Sequence, residues 1–214
     1  MHLLLLLGSA QAQLYKDPTQ PIEARIADLV SKMTLEEKVN QTLNDYFDGA
    51  FGPVVPSDPA GQAAIASEGM RYLFKFCATE SPRHVKEPSM LVAECIQTRN
   101  HFQTIAKEQS RHGIPISFAE ETLHGSLYSP QYPMPINLGC TWNDSLVEQV
   151  FSETAWQASA VGINAGLSPV VNMFPDARFG RMQEGFSEDP HLTSKMGIAS
   201  VLGLKATPSI RCST

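Results

Sequence analysis

The sequence predicts an α/β fold assembled from parallel β/α units. Segments of helical periodicity alternate with short apolar runs of strand length, in the order helix, strand, polar loop, helix, strand, polar loop, helix. Carboxylates and arginines follow each apolar run at once. In a barrel or a doubly wound sheet, that is the face on which chemistry is assembled. A length of 214 residues falls short of the roughly 250 typical of a complete (β/α)8 barrel.

In chain order, Glu23 to Met33 carries Ile26, Leu29, Val30 and Met33 at helical spacing. Thr34 then caps a second helix, with Glu37 three residues on as a capping box. Glycine and proline punctuate a loop from Asp48 to Pro59. Met90 to His112 is a long run of good helix formers, stopped by Gly113. Ile114 to Ala119 is an apolar run of strand length that leads into Glu120-Glu121. Asn143 or Asp144 caps a helix running to Gly162, and a second apolar strand follows around Leu167 to Met173. A polar loop carries Asp176 to Asp189, and His191 to Leu204 closes as a helix. From Lys205 to Thr214 the chain is polar and unpatterned, and residues 205–214 read as an unrelated tail.

Composition narrows the function classes. Lys+Arg 16 against Asp+Glu 22 leaves a net charge of −6 with no basic patch, so nucleic acid is not an expected partner. Hydrophobic residues at 43% and charged residues at 18% are ordinary for a folded chain and exclude disorder, collagen and coiled coil. No stretch approaches the 18 or more apolar residues of a membrane helix, so no membrane anchor is expected. The start, with Leu3 to Leu7 followed by Gly8-Ser9-Ala10-Gln11-Ala12, has an apolar run and an A-x-A site. Residues 1–12 therefore read as a secretory signal peptide, without its basic first region, and predict a secreted, extracellular protein. Cys77, Cys95, Cys140 and Cys212 show no metal-ligand spacing. Cys77 and Cys95 either bridge across a loop or stay as buried thiols. Asn40-Gln41-Thr42 and Asn143-Asp144-Ser145 are glycosylation sequons if the chain enters a secretory pathway.

Two clusters carry candidate chemistry. Glu120-Glu121-Thr122-Leu123-His124-Gly125 follows the first strand, where a carboxylate can accept hydrogen bonds from sugar hydroxyls or act as acid or base; the competing reading is a solvated loop. Glu120 and His124 are four apart, a metal-binding spacing on a helix, but no third ligand is evident, and neither metal nor cofactor is expected. The second cluster runs from Asp176 to Pro190, with Arg178 and Arg181 among carboxylates and glycines. An arginine there offers a fixed donor fork for vicinal hydroxyls, or the charges form an ion-pair network that fixes the loop. Glu188 and Asp189, just before Pro190, mark a helix start.

These residues resemble the N-terminal barrel domain of glycoside hydrolase family 3, the β-glucosidase and β-xylosidase group. The likeness covers roughly Ile22 to Leu204. It runs through the helix Ala24 to Lys38, His112-Gly113-Ile114-Pro115, the Leu123-His124-Gly125 turn, Pro133 to Leu138 and Thr141-Trp142. It ends with Gly180-Arg181, Glu184-Gly185-Phe186 and Ser187-Glu188-Asp189-Pro190. The resemblance implies the first part of a (β/α)8 TIM-type barrel, incomplete at its C-terminus, over residues 13–204. Such an open sheet exposes unpaired edge groups, and the isolated chain is expected to be unstable or to aggregate.

The resemblance also implies that Glu121, three residues before His124, binds the non-reducing sugar, and that Arg181 contacts the same sugar. Asp176 and Glu184 join them as substrate-binding residues. Pro175, Ala177 and Phe179 depart from the arginine, proline and tryptophan usual at those positions, while Asp176, Arg178, Gly180 and Arg181 remain. Family members carry a Lys-His pair and an aspartate nucleophile further along, and an acid/base from a following domain. Nothing after Leu204 offers these, so no catalytic residue is assigned here, and the chain reads as truncated before the nucleophile. The implied activity is retaining hydrolysis of terminal β-linked glucose or xylose from an oligosaccharide or glycoside by a full-length parent, the chain itself being inactive. A non-catalytic sugar-binding remnant is the alternative. Glu121, where many β-glucosidases of the family have aspartate, tilts the sugar toward a pentose, its extra methylene filling the place of a hydroxymethyl group.

Overall fold

The computed structural model describes residues 13–42, 44–46, 72–74, 88–126, 129–174, 176, 178–207 and 211–212. The fold is α/β. Five short strands, β1 (Asn44–Tyr46), β2 (Tyr72–Phe74), β3 (Ser117–Glu120), β4 (Ala165–Gly166) and β5 (Arg211–Cys212), form one sheet in chain order. Every pairing is parallel, with Tyr72 opposite Ser117 and Ala119 opposite Ala165. Parallel neighbours cannot be joined by a tight turn. Helix α3 (Pro88–Glu108) therefore lies between β2 and β3, α4 (Pro135–Gly139) and α5 (Asp144–Ala160) between β3 and β4, and α6 (Pro190–Leu204) between β4 and β5.

Helix α1 (Ile22–Lys32) and α2 (Leu35–Asn40) form where their periodicity predicts them. Thr34 and Glu37 make the reciprocal capping box: Glu37 N–H donates to Thr34 Oγ1 at 3.1 Å and Thr34 N–H to Glu37 Oε2 at 2.8 Å. The Glu37 carboxylate also receives Arg111 Nη1 at 2.9 Å and faces His112 Nε2 at 3.1 Å, tying α2 to the turn after α3. Asn143 caps α5 through Leu146 N–H, and Asp189 caps α6 through Leu192 N–H at 2.7 Å.

Strands β1 and β2 and helix α4 answer to no expected element, and expected and observed limits differ most at four places. Helix α3 ends at Glu108 rather than His112, because the Ser110 hydroxyl donates to the Ala106 carbonyl and accepts Gly113 N–H, displacing the helical ladder. Strand β3 starts at Ser117. Ile116, one residue earlier, has both backbone groups bonded to the Gln103 side-chain amide, at 3.0 and 2.6 Å. The strand expected around Leu167 to Met173 does not form, and strand β4 is Ala165–Gly166. Its pairing to β3 ends where Leu167 N–H reaches Glu120 O at 3.0 Å, and Pro169 has no N–H to extend it. Residues Arg211–Cys212, inside the segment read as a tail, pair with β4. The Asp48–Pro59 loop, the 1–12 segment and Cys77 lie outside the described residues.

The larger core lies between α5 and α6. Val147, Phe151, Ala155 and Ala158 of α5 meet Leu192, Met196, Ala199 and Leu204 of α6, with Leu138, Ile163 and Phe186 closing the cluster. The helices approach to backbone contact at Gly203, where a Cβ would overlap Glu148 O. On α3, Cys95, Thr98, Phe102, Ile105 and Ala106 are buried at three- and four-residue spacing.

Candidate functional site

The loops leaving the C-terminal ends of β3 and β4 are joined by a buried hydroxyl pair. Thr122 Oγ1 lies 2.6 Å from Ser168 Oγ, and the two residues are almost without solvent contact. Gly166 makes room for this, since a Cβ there would sit 2.6 Å from Thr122 Oγ1. Both loops therefore start from one rigid point.

Glu120, the last residue of β3, is buried, and Glu121 turns out to solvent immediately after it. The chain then bends through Leu123-His124-Gly125. His124 lies in this bend and not on a helix, with Nδ1 2.9 Å from Tyr132 O and its own carbonyl receiving Tyr132 N–H at 2.7 Å. The four-residue spacing to Glu120 therefore does not place both on one helical face. Among the described residues no group of three His, Cys, Asp or Glu is placed to hold a metal.

On the second loop, Arg181 opens a 3-10 turn at Met182–Glu184. Glu184 folds back onto it, Oε1 accepting Nε–H at 2.5 Å and Oε2 accepting Nη2–H at 2.6 Å. The Glu184 side chain is 15% exposed and the Arg181 side chain 70%, so a covered carboxylate orients a guanidinium that faces solvent. The Glu184 hydrogen bonds hold Arg181 above the ordinary arginine range, with the charges of Glu184 and then Glu121 adding to it. Glu121 follows β3 directly, and Arg181 lies in the loop beyond β4.

Asp176 is in the same loop, but its carboxylate bonds to Arg178. It accepts Arg178 N–H and Nε–H at 2.9 Å and also pairs with Nη2. These bonds hold the Asp176 carboxyl below its usual range. The structure therefore pairs Arg181 with Glu184 and Asp176 with Arg178.

The loop is anchored from below. Phe186 is buried 6.4 Å from Phe151, and Gly139 of α4 packs so closely that a Cβ there would overlap Phe186 O. Phe174 and Phe179 stack at 4.8 Å and 12°. The Thr122–Ser168 pair and the aromatic stack escape a reading of the sequence, although each hydroxyl residue stands two positions after the last residue of its strand and could have been singled out on that ground.

Residues 85–213 match the sequence profile described as the glycosyl hydrolase family 3 N terminal domain. A β-xylosidase of Formosa agariphila is 36% identical over 110 residues, 48% of this chain and 15% of the relative. A periplasmic β-glucosidase of Salmonella typhimurium is 28% identical over 183 residues, 86% of this chain and 21% of the relative. A solved β-glucosidase from Erythrobacter marinus superposes with a TM-score of 0.73 at 30% identity, covering 94% of this chain and 26% of that one. The chain spans about a quarter or less of the length of each.

Proposed function

The chain belongs to the glycosyl hydrolase family 3 N-terminal domain family, and from that premise we propose that it holds the non-reducing sugar of a retaining β-glycosidase. The enzyme removes terminal β-linked glucose or xylose from oligo- or polysaccharides. Residues from 13 through β5 form the first part of a (β/α)8 barrel, and residues 1–12 direct the protein out of the cytoplasm. The Arg181–Glu184 pair beside Glu121 carries the reading. Glu184 takes two of the five guanidinium N–H groups. The others remain for vicinal hydroxyl oxygens, while Glu121 accepts hydroxyl hydrogens from the same sugar.

Retaining hydrolysis needs two carboxyl groups about 5–5.5 Å apart, one as nucleophile and one as acid/base. Asp176 and Glu184 are each bound through both oxygens to an arginine, so neither is assigned a catalytic role. Asp176 stiffens the loop through Arg178, and Glu184 positions Arg181. The same commitment favours a second reading, a sugar-binding protein without turnover.

Titration of the 214-residue chain with xylose and glucose, followed by saturation-transfer NMR, is expected to show binding that Arg181→Ala removes and Glu184→Gln weakens. Binding that survives Arg181→Ala refutes the site. The chain alone is expected to hydrolyse neither aryl β-glucoside nor aryl β-xyloside. A chimaera carrying it in place of the matching quarter of the Erythrobacter enzyme is expected to hydrolyse at least one; a folded, sugar-binding chimaera without turnover supports the second reading. Xylose is expected to bind more tightly than glucose, with Glu121→Asp shifting the balance toward glucose by freeing space for the hydroxymethyl group.

A further inference from the structure

We propose that Phe179, seated on Phe174, is a stacking platform for a second sugar ring, so that the site grips a β-linked disaccharide in preference to a single pyranose. This rests on the sugar-binding reading of Arg181. The Phe179 ring is 49% exposed, although it stands in a loop of charged residues. It is held in place rather than left loose. Phe174 lies parallel to it at 4.8 Å. Phe174 in turn rests on Gly185, where a Cβ would meet its Cδ2 at 2.9 Å. The Phe179 N–H donates to Asp176 O at 3.1 Å, and the Asp176–Arg178 pair braces the residue before it.

The layers therefore run Gly185, Phe174, Phe179, with one face of the outer ring covered and the other left to solvent. Val171 and Met173, on the same segment after β4, are also more than half exposed. A rigid exposed aromatic plane flanked by charged donors is the combination that suits a pyranose. The ring takes the apolar C–H face of the second sugar, and Arg178, the residue before it, offers donors for that sugar's hydroxyls while Arg181 keeps the first. Phe179 and Arg181 are two residues apart, so their Cα atoms are at most about 7 Å from each other, the scale of one sugar unit.

The test titrates the 214-residue chain with glucose and xylose and, in parallel, with cellobiose and xylobiose. The disaccharide matching the preferred sugar is expected to bind about tenfold more tightly than the monosaccharide. Phe179→Ala removes that advantage and leaves the monosaccharide dissociation constant within about twofold. Phe179→Leu, which keeps bulk over Phe174 without a plane, does the same, whereas Phe179→Trp retains the advantage. Equal affinity for one and two rings in the unaltered chain overturns the platform, as does a disaccharide advantage that survives Phe179→Leu. A parallel loss of both affinities in Phe179→Ala also overturns it, because the ring would then only support the loop. Monosaccharide binding that Arg181→Ala leaves unchanged, or no binding of any sugar, overturns the underlying reading and the platform with it.

Discussion

Replacing Gly139 with alanine drives a methyl group into the backbone that carries the candidate site. The added Cβ overlaps Phe186 O and sits 2.9 Å from Phe186 C and 3.2 Å from its Cα. The overlap with Phe186 O is the deepest of the three, so the backbone must yield by about 1 Å to restore an ordinary contact. It cannot swing freely, because the Phe186 ring is buried against Phe151 in the main core. The expected cost is about 3 kcal/mol, the upper end for forcing extra carbon into packed structure. With a urea dependence of about 2–3 kcal/mol/M, the unfolding midpoint falls by about 1 M. Gly180→Ala is the internal control. It adds the same atom one residue before Arg181, but meets nothing within 4 Å, and is expected to stay within about 0.5 kcal/mol. Phe186 follows Glu184 by two residues, so Gly139→Ala also loosens the arm that aims Arg181. Monosaccharide binding should weaken in Gly139→Ala and hold in Gly180→Ala. Urea titration by circular dichroism and the sugar titration check both outcomes. Equal midpoints for the two variants would show that α4 does not anchor the Arg181 turn.

Two other expectations concern the N-terminal helices. Burial pushes the Glu37 carboxyl upward, but the Thr34 N–H, His112 and Arg111 outweigh it and hold it at about 2, below its ordinary 4.5. A lowered carboxyl contributes stability above pH 4.5 and loses it as the pH falls toward 2. The unaltered chain should thus lose about 2 kcal/mol over that window that Glu37→Gln does not lose, and parallel stability curves would refute the clamp. On α1, Ile22, Ile26 and Val30 are spaced four apart and exposed by 66%, 50% and 44%, with Leu35 and Val39 exposed beyond them on α2. The chain is expected to self-associate through this stripe, and Ile26→Gln with Val30→Gln should lower its light scattering. Scattering unchanged by the pair would exclude the stripe as the cause.

Much of the fold was legible because the signals are local. The Thr34–Glu37 box, the Asn143 cap and the Asp189 cap are each written within four residues, and all three form. Strand limits were not legible, because they are set by partners distant in sequence. Ile116 is taken by Gln103, Phe118 N–H by the Asn164 side chain at 2.8 Å, and β4 stops where β3 does. Strand β5 has only two residues, too few for any alternation to show.

The candidate site divides along the same line. The resemblance singles out Glu121, Asp176, Arg181 and Glu184 together, and nothing in one dimension ranks them. What separates them is where each carboxylate spends its oxygens. Glu184 reaches back three residues to Arg181, and Asp176 reaches forward two residues to Arg178. Each is a local pair, and the charge of Glu121 on the other loop adds a small further influence at Arg181. The two loops are tied beneath these charges by the Thr122–Ser168 hydroxyl bond and by Gly166, which lets the segments after β3 and β4 meet without a side chain between them. A methyl group at Gly166 would strike Thr122 Oγ1 and part the loops while leaving every charged residue in the sequence unchanged. The proposed sugar site therefore rests on the uncharged contacts beneath it as much as on the charges above it.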